Sequence, residues 1–200
     1  MYLKPTIIIS CLLCILSSCS PSRNFPARYY EQFEKELTSI ERLYGGIHSA
    51  KPLSAAFTDK EFNNISLEIK TDSLRYVYEF NIQDTAMKDS LYKYGYDTSA
   101  VLQLLLKMKQ IKCTWINTLD YYVDRQKKLL TFMSIRNKAL RVPFAPEKYF
   151  ILTFYEQPQY YDADGILLDK RNVRRIRRVN NEIFHRITDK VCYTLSAKFR

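Results

Sequence analysis

Two rhythms of hydrophobic and polar positions divide the chain into predicted helices and strands. Apolar side chains recur every three or four residues over 29–44, as on one face of an amphipathic helix. Gly45-Gly46 is the predicted end of that helix, and 47–64 is predicted as a loop because no period holds there. Over 65–82 apolar and polar residues alternate on both sides of a polar turn at 71–73, which predicts a β-hairpin.

The middle of the chain continues with helices and then strands. Helical spacing predicts a short helix at 86–94 and, after it, a second helix with Thr98 as its cap. Strand patterns follow near 111–123, 128–137 and 149–156. The last of these is almost continuously aromatic and β-branched, which is typical of a strand buried on both faces.

The C-terminal segment is predicted as a turn and a helix, followed by ten residues with an ambiguous pattern. Asp164-Gly165 is a tight-turn signal, and Asp169 is a suitable cap for a helix over 173–187. From Val191 the pattern is ambiguous: Val191, Tyr193, Leu195 and Phe199 lie at alternating positions, and the sequence leaves helix and strand open for 191–200. The predicted fold class is therefore α+β. It has a mostly antiparallel sheet of about five or six strands covered by helices on one face, with an amphipathic N-terminal helix and a basic C-terminal helix.

The first twenty residues have the organisation of an export signal. Lys4 precedes an apolar run over 7–16, and the sequence then reads Leu16-Ser17-Ser18-Cys19. A helix of about ten residues spans only about half of a ~30 Å hydrocarbon core, so the run suits a secretory leader better than a membrane span. This segment resembles the signal peptide and lipobox of a bacterial lipoprotein; an ordinary secretory leader without lipid is the alternative.

The lipoprotein resemblance implies a division of the chain and a location. Residues 1–18 would be the removed signal peptide, Cys19 the acylated (palmitate-carrying) N-terminus, 19–27 a tether, and 28–200 a single α+β domain. The protein is expected in the cell envelope, lipid-anchored and facing the periplasm or the cell surface. Ser20, where an inner-membrane lipoprotein commonly has Asp, points to the outer membrane.

The resemblance also implies a role for three of the five cysteines. Cys11 and Cys14 leave with the signal peptide and Cys19 carries lipid, so Cys113 and Cys192 remain in the domain. An exported protein meets an oxidising compartment, where these two can form a disulfide. The alternative is two separate buried thiols that behave as small hydrophobic side chains. The sequence leaves both alternatives open.

Positive charge is concentrated at the C-terminus. Residues 170–200 carry ten Lys or Arg and two acids, a net +8 of the +10 of the whole chain. Arg174, Arg175, Arg177 and Arg178 are the predicted binding surface. Export disfavours nucleic acid as the partner, which leaves the membrane itself, anionic lipid, an acidic glycan or an acidic envelope protein. The alternative is a solvated helix face whose carboxylate partners come from the fold.

Catalytic chemistry has little support in the sequence. His48 and His185 are the two histidines, and His185 would need Asp162, Asp164 or Cys192 as a partner without any local nucleophile signature. Glycine-rich phosphate loops, zinc-type clusters and dinucleotide fingerprints are missing from the sequence, so no cofactor or metal is expected. We expect a non-enzymatic envelope lipoprotein with a binding or structural role. The alternative is an envelope enzyme acting on a glycan or peptide.

Overall fold

The fold comes from a computed structural model, which describes residues 25–70, 74–123, 125–137, 146–169 and 172–197. The predicted signal peptide, the lipidation site Cys19 and the turn at 71–73 lie outside these residues. The described residues form three helices and twelve strands. The helices are α1 (Phe25–Ala50), α2 (Thr85–Lys93) and α3 (Thr98–Ile111). The strands are β1 (Leu53–Phe57), β2 (Asn64–Lys70), β3 (Arg75–Asn81), β4 (Cys113–Val123), β5 (Gln126–Arg136), β6 (Tyr149–Tyr155), β7 (Leu168–Asp169), β8 (Asn172–Ile176), β9 (Arg178–Val179), β10 (Glu182–Ile183), β11 (His185–Arg186) and β12 (Val191–Ser196).

Eight of the described strands form one sheet, in the order β11-β12-β6-β5-β4-β1-β2-β3, and every neighbouring pair is antiparallel. This confirms the α+β class, but the sheet has more strands than the five or six predicted. Strand β1 lies in the predicted loop, where the small residues of Leu53–Phe57 weaken the alternation. Strand β11 has two residues, and its pairing with β12 has no local signature.

Helix α1 is longer at both ends than the sequence predicts. It begins at Phe25, inside the predicted tether, and continues through Gly45-Gly46 to Ala50, so the predicted end is wrong. Tyr44 and Ile47, on either side of the glycines, are both buried in the core. This burial outweighs the cost of a helical glycine, which is about 1 kcal/mol relative to alanine.

Gly45→Ala is expected to raise the free energy of unfolding by about 0.5–1 kcal/mol, because alanine loses less backbone entropy in a helix. A Cβ at Gly45 meets no atom within 4 Å. Gly95→Ala is the contrasting variant, since Gly95 has φ +69° and its Cβ would lie 2.8 Å from Lys51 Nζ. Urea unfolding monitored by circular dichroism measures both. A loss of stability in Gly45→Ala would contradict the expectation.

The two faces of the sheet carry separate hydrophobic clusters. On β5, Met133 and Ile135 face the helices and join their core, whereas Leu130 and Phe132 point to the opposite face. The helices therefore lie on one face, as the sequence predicts. Within the described part of the chain, none of the helices has the length and hydrophobicity that a membrane crossing requires.

The second face is covered by the C-terminal part of the chain, which contains short strands where a basic helix was predicted. We call residues 156–169 and 172–190 the C-terminal cover. The helix prediction is wrong because Asn180 and Asn181 have φ of +51° and +64°. Two consecutive left-handed residues form a tight hairpin turn, here between β9 and β10, and end any helix. Residues Val191–Ser196, for which the sequence left helix and strand open, form β12.

Candidate functional site

The four arginines of the predicted binding surface do not share one exposed surface. Arg177 turns inward, where its Nη1 donates a hydrogen bond to Gln159 Oε1 at 3.2 Å and its guanidinium lies 5.6 Å from the centre of the Tyr155 ring. The other three arginines of the set are exposed, and none pairs with a carboxylate of another described residue. The exposed cationic set is therefore Arg174, Arg175 and Arg178.

A groove lies at the β11–β12 edge of the sheet and has a volume of about 940 Å³. We call it the edge groove. Its apolar lining includes Phe150, Tyr193 and Leu195, from the neighbouring strands β6 and β12. The polar residues that line it are Asp164, Arg178, Asn181, Glu182, His185, Arg186 and Thr194. An apolar floor beneath charged groups suits an amphipathic ligand.

Two of the charged groups in the edge groove already have partners. Arg186 Nη2 lies 2.6 Å from Asp189 Oδ1 in an ion pair, and Glu182 Oε1 accepts a hydrogen bond from Ser196 Oγ at 2.8 Å. Arg178 also lines the groove, and no ion pair joins it to another described residue. Arg178 is therefore the guanidinium best placed to receive an anionic ligand group.

The nucleophile and base partnership considered for His185 is not formed. The His185 ring pairs with the Tyr193 ring at 5.5 Å between centroids. Cys192 precedes Tyr193 on β12 and therefore points to the opposite face, where it belongs to the cluster beneath the C-terminal cover. The imidazole of His185 and the thiol of Cys192, the one cysteine considered as its partner, are therefore separated by the sheet.

Asp162 has a structural role in the predicted turn. Its Oδ1 accepts hydrogen bonds from the backbone N–H of Asp164 at 3.0 Å and of Ile166 at 2.7 Å. Gly165 closes the turn with φ +76°, a conformation that favours glycine. The tight-turn prediction is confirmed, and this carboxylate is engaged in holding the turn.

The second histidine, His48, is half-buried in the last turn of α1. Its Nε2 is 2.9 Å from Thr118 Oγ1, and its ring is 5.7 Å from the Tyr44 ring. Burial lowers the pKa of His48 and favours the neutral imidazole. These contacts give His48 a packing role.

Cys113 and Cys192 are both free and buried, and no disulfide joins them. They lie on β4 and β12, which are three strand spacings apart in the sheet, or about 14 Å. A disulfide needs Cα atoms within about 7 Å. Burial raises the pKa of each thiol to about 12, which keeps both protonated. The alternative of two separate buried thiols describes this structure.

A second cleft lies between α1 and α3, and two of its charged lining residues have structural roles. Its volume is about 610 Å³, and Lys51 and Asp97 are among its lining residues. Lys51 Nζ donates a hydrogen bond to the carbonyl of Tyr94, and Asp97 Oδ1 caps α3 by accepting from Ala100 N–H at 3.0 Å. The charged groups of Lys51 and Asp97 therefore have structural roles.

Arg178 was among the predicted binding residues, whereas the apolar residues of the edge groove were not. Phe150, Tyr193 and Leu195 come from two strands that are distant in sequence, so no local signal marks them. The pair Asn180-Asn181 was the signal for the hairpin beside the groove.

In the part of the chain that the structure describes, no three His, Cys, Asp or Glu side chains form a cluster able to hold a metal ion. Comparison with protein-family models, with curated proteins and with solved structures found no match.

Proposed function

We propose that this protein is a non-enzymatic lipoprotein of the cell envelope, anchored through Cys19. Its exposed arginines and edge groove bind the phosphate groups of anionic lipid headgroups. The observation that supports the proposal is the position of the N-terminal end of α1. Phe25 is the first described residue, and its ring centroid lies 5.3 Å from that of Phe150, which lines the edge groove. The chain thus enters the fold beside the groove.

The length of the tether supports a location close to the membrane. An extended chain from Cys19 to Phe25 reaches roughly 20 Å. With acyl chains on Cys19 buried in the bilayer, Phe25 and the groove beside it stay within about that distance of the headgroups. Each Lys or Arg close to an anionic membrane surface contributes about 1 kcal/mol to binding. The arginines of the C-terminal cover then add to the affinity of the lipid anchor.

The anchor is tested by labelling cells with a radioactive or clickable fatty acid. The wild-type chain is expected to take up label, and Cys19→Ala is expected to lose it. Cys14→Ala serves as the matched control and is expected to keep the label, because Cys14 lies before the predicted cleavage point. Label that persists in Cys19→Ala would contradict the anchor.

Lipid binding is tested with the chain from Ser20 onward, produced without leader or lipid. We expect it to sediment with vesicles that contain about one third phosphatidylglycerol, and not with pure phosphatidylcholine, with weaker binding as salt rises. Replacing Arg174, Arg175 and Arg178 by Gln is expected to weaken binding by about 100-fold, from the loss of three contacts of about 1 kcal/mol each.

The control variant removes the same charge elsewhere. Lys60, Lys88 and Lys93 are exposed cations away from the C-terminal cover, and replacing all three by Gln gives the same net charge. That variant is expected to stay within about threefold of the wild type if the position of the charge determines binding. Equal losses in both triple variants, or no preference for anionic vesicles, would refute the proposed lipid-binding surface.

A further inference from the structure

Strand β3 forms the other edge of the large sheet, and its outward backbone groups follow from the hydrogen bonds on its inner side. Among the described strands it pairs with β2 alone. Ile82 N–H, just after β3, donates to the carbonyl of Asn63 at 2.8 Å, so the even-numbered residues direct their backbone groups toward β2. The backbone N–H and C=O groups of Arg75, Val77 and Glu79 therefore point away from the sheet.

The side chains of the same three residues lie on one face of β3, opposite the helices. Val77, in the middle of the strand, is 62% exposed. Arg75 and Glu79 are also exposed and stand two residues before and two residues after Val77. The edge thus carries a positive, an apolar and a negative position in a symmetric arrangement.

We propose that this edge binds the same edge of a second copy of the chain, antiparallel and centred on Val77. In that register Val77 lies opposite Val77 of the other copy, and Arg75 lies opposite Glu79 in both halves. All three positions direct their backbone groups outward, so roughly six backbone hydrogen bonds form across the two-fold axis. The charges pair at both ends of the same ladder.

The opposite face of β3 is also self-complementary in this register. Tyr76 and Tyr78 stack with ring centroids 6.0 Å apart, and Phe80 continues the row 5.8 Å from Tyr78. The two-fold axis places Tyr76 opposite Tyr78 of the other copy and Leu74 opposite its Phe80. Aromatic side chains at such cross-strand positions stabilise a strand pair.

Charge complementarity favours a second copy over an unrelated partner. Charged residues on an edge strand usually prevent pairing. Here a shift of the register by two residues places Val77 opposite a charged side chain of the other copy. The register centred on Val77 instead pairs Arg75 with Glu79 on both sides of the axis. The inference goes beyond the proposed lipid binding and does not depend on it. Dimerisation and lipid binding are compatible, because a two-fold axis perpendicular to the joined sheet keeps the C-terminal covers of both copies on the same side.

The dimer is tested in cells that express the full chain, by oxidative crosslinking of Val77→Cys. Two such cysteines meet at the symmetry axis with Cα atoms about 5.5 Å apart, within the range for a disulfide. We expect at least about tenfold more disulfide-linked dimer than for Tyr92→Cys, whose residue is 82% exposed but lies on α2. The wild-type chain gives the background from its own cysteines. A Val77→Cys yield no higher than that of Tyr92→Cys, or a disulfide mainly to another protein, would overturn the proposal.

Charge reversal tests the register. In the Val77→Cys chain, Arg75→Glu or Glu79→Arg alone places like charges opposite each other and is expected to lower crosslinking about tenfold. The double reversal restores opposite charges and is expected to recover most of the yield. Arg75 also pairs with Glu68 of its own chain at 3.1 Å, and the double variant does not repair that contact. Recovery therefore reports the pairing between copies, and its absence would overturn the register.

Discussion

Phe184→Ala is expected to lower the free energy of unfolding by about 3–5 kcal/mol. Phe184 has 0% of its surface exposed and belongs, with Leu167, to the cluster between the C-terminal cover and the sheet. Removing the ring leaves a cavity at the place where the short strands of the cover have little other apolar burial. The expected loss is large beside the total stability of a domain, which is about 5–15 kcal/mol.

Urea unfolding of the chain from Ser20 onward measures this effect, with Tyr160→Ala as the control. Tyr160 lies in the same cover but is 49% exposed, so its truncation is expected to cost less than about 1 kcal/mol. Phe184→Ala should also weaken binding to anionic vesicles, because the cover carries the exposed arginines. Similar stability of the two variants would mean that Phe184 does not anchor the cover.

Leu104→Ala is expected to lower the free energy of unfolding by about 2–5 kcal/mol. Leu104 lies on α3 with 0% exposure, in the core between the helices and the sheet. The cost combines the lost transfer of the side chain from water with the cavity that remains. Helix α3 packs against α1 and β4, so the neighbouring side chains have little freedom to fill the space.

Leu106→Ala is the matched control, because it makes the same chemical change two residues along the same helix. Leu106 is 60% exposed, and its truncation is expected to change stability by less than about 0.5 kcal/mol. Thermal and urea unfolding of both variants measure the difference. Equal losses would indicate that α3 packs with a different face toward the sheet.

The elements that sequence reasoning predicted well are those specified by neighbouring residues. The β2–β3 hairpin follows from strict alternation on both sides of one turn, and its register pairs Leu67 with Tyr78 as that alternation requires. The fully buried β6 was predicted from its continuous apolar run. Failures occurred where contacts distant in sequence decide the outcome. Gly45-Gly46 stays helical because Ile47 is buried, and β11 forms a strand through its pairing with β12.

The candidate site was predicted only in part. The excess of arginine was evident, but four nearby arginines in the sequence did not become one surface. Arg177 packs on the ring of Tyr155. Tyr155 belongs to β6, and a helix over 173–187 gave no reason to expect Arg177 beside that strand. The helical interpretation relied on the spacing of Ile176 and Ile183, although β-branched residues favour strands and Asn180-Asn181 favours a turn between them.

Local sequence is sufficient for the α+β class, the alternation of the central strands, the leader-like start and the position of the basic segment, because each depends on composition or on residues within a few positions. The long-range packing of the chain determined that the basic segment covers the second face of the sheet. It also placed Phe25 beside the edge groove, separated Cys113 from Cys192, and left the charged positions of β3 on an open edge. These features depend on which strands become neighbours. Strand order follows from burying both faces of the sheet at once, which is a property of the whole chain.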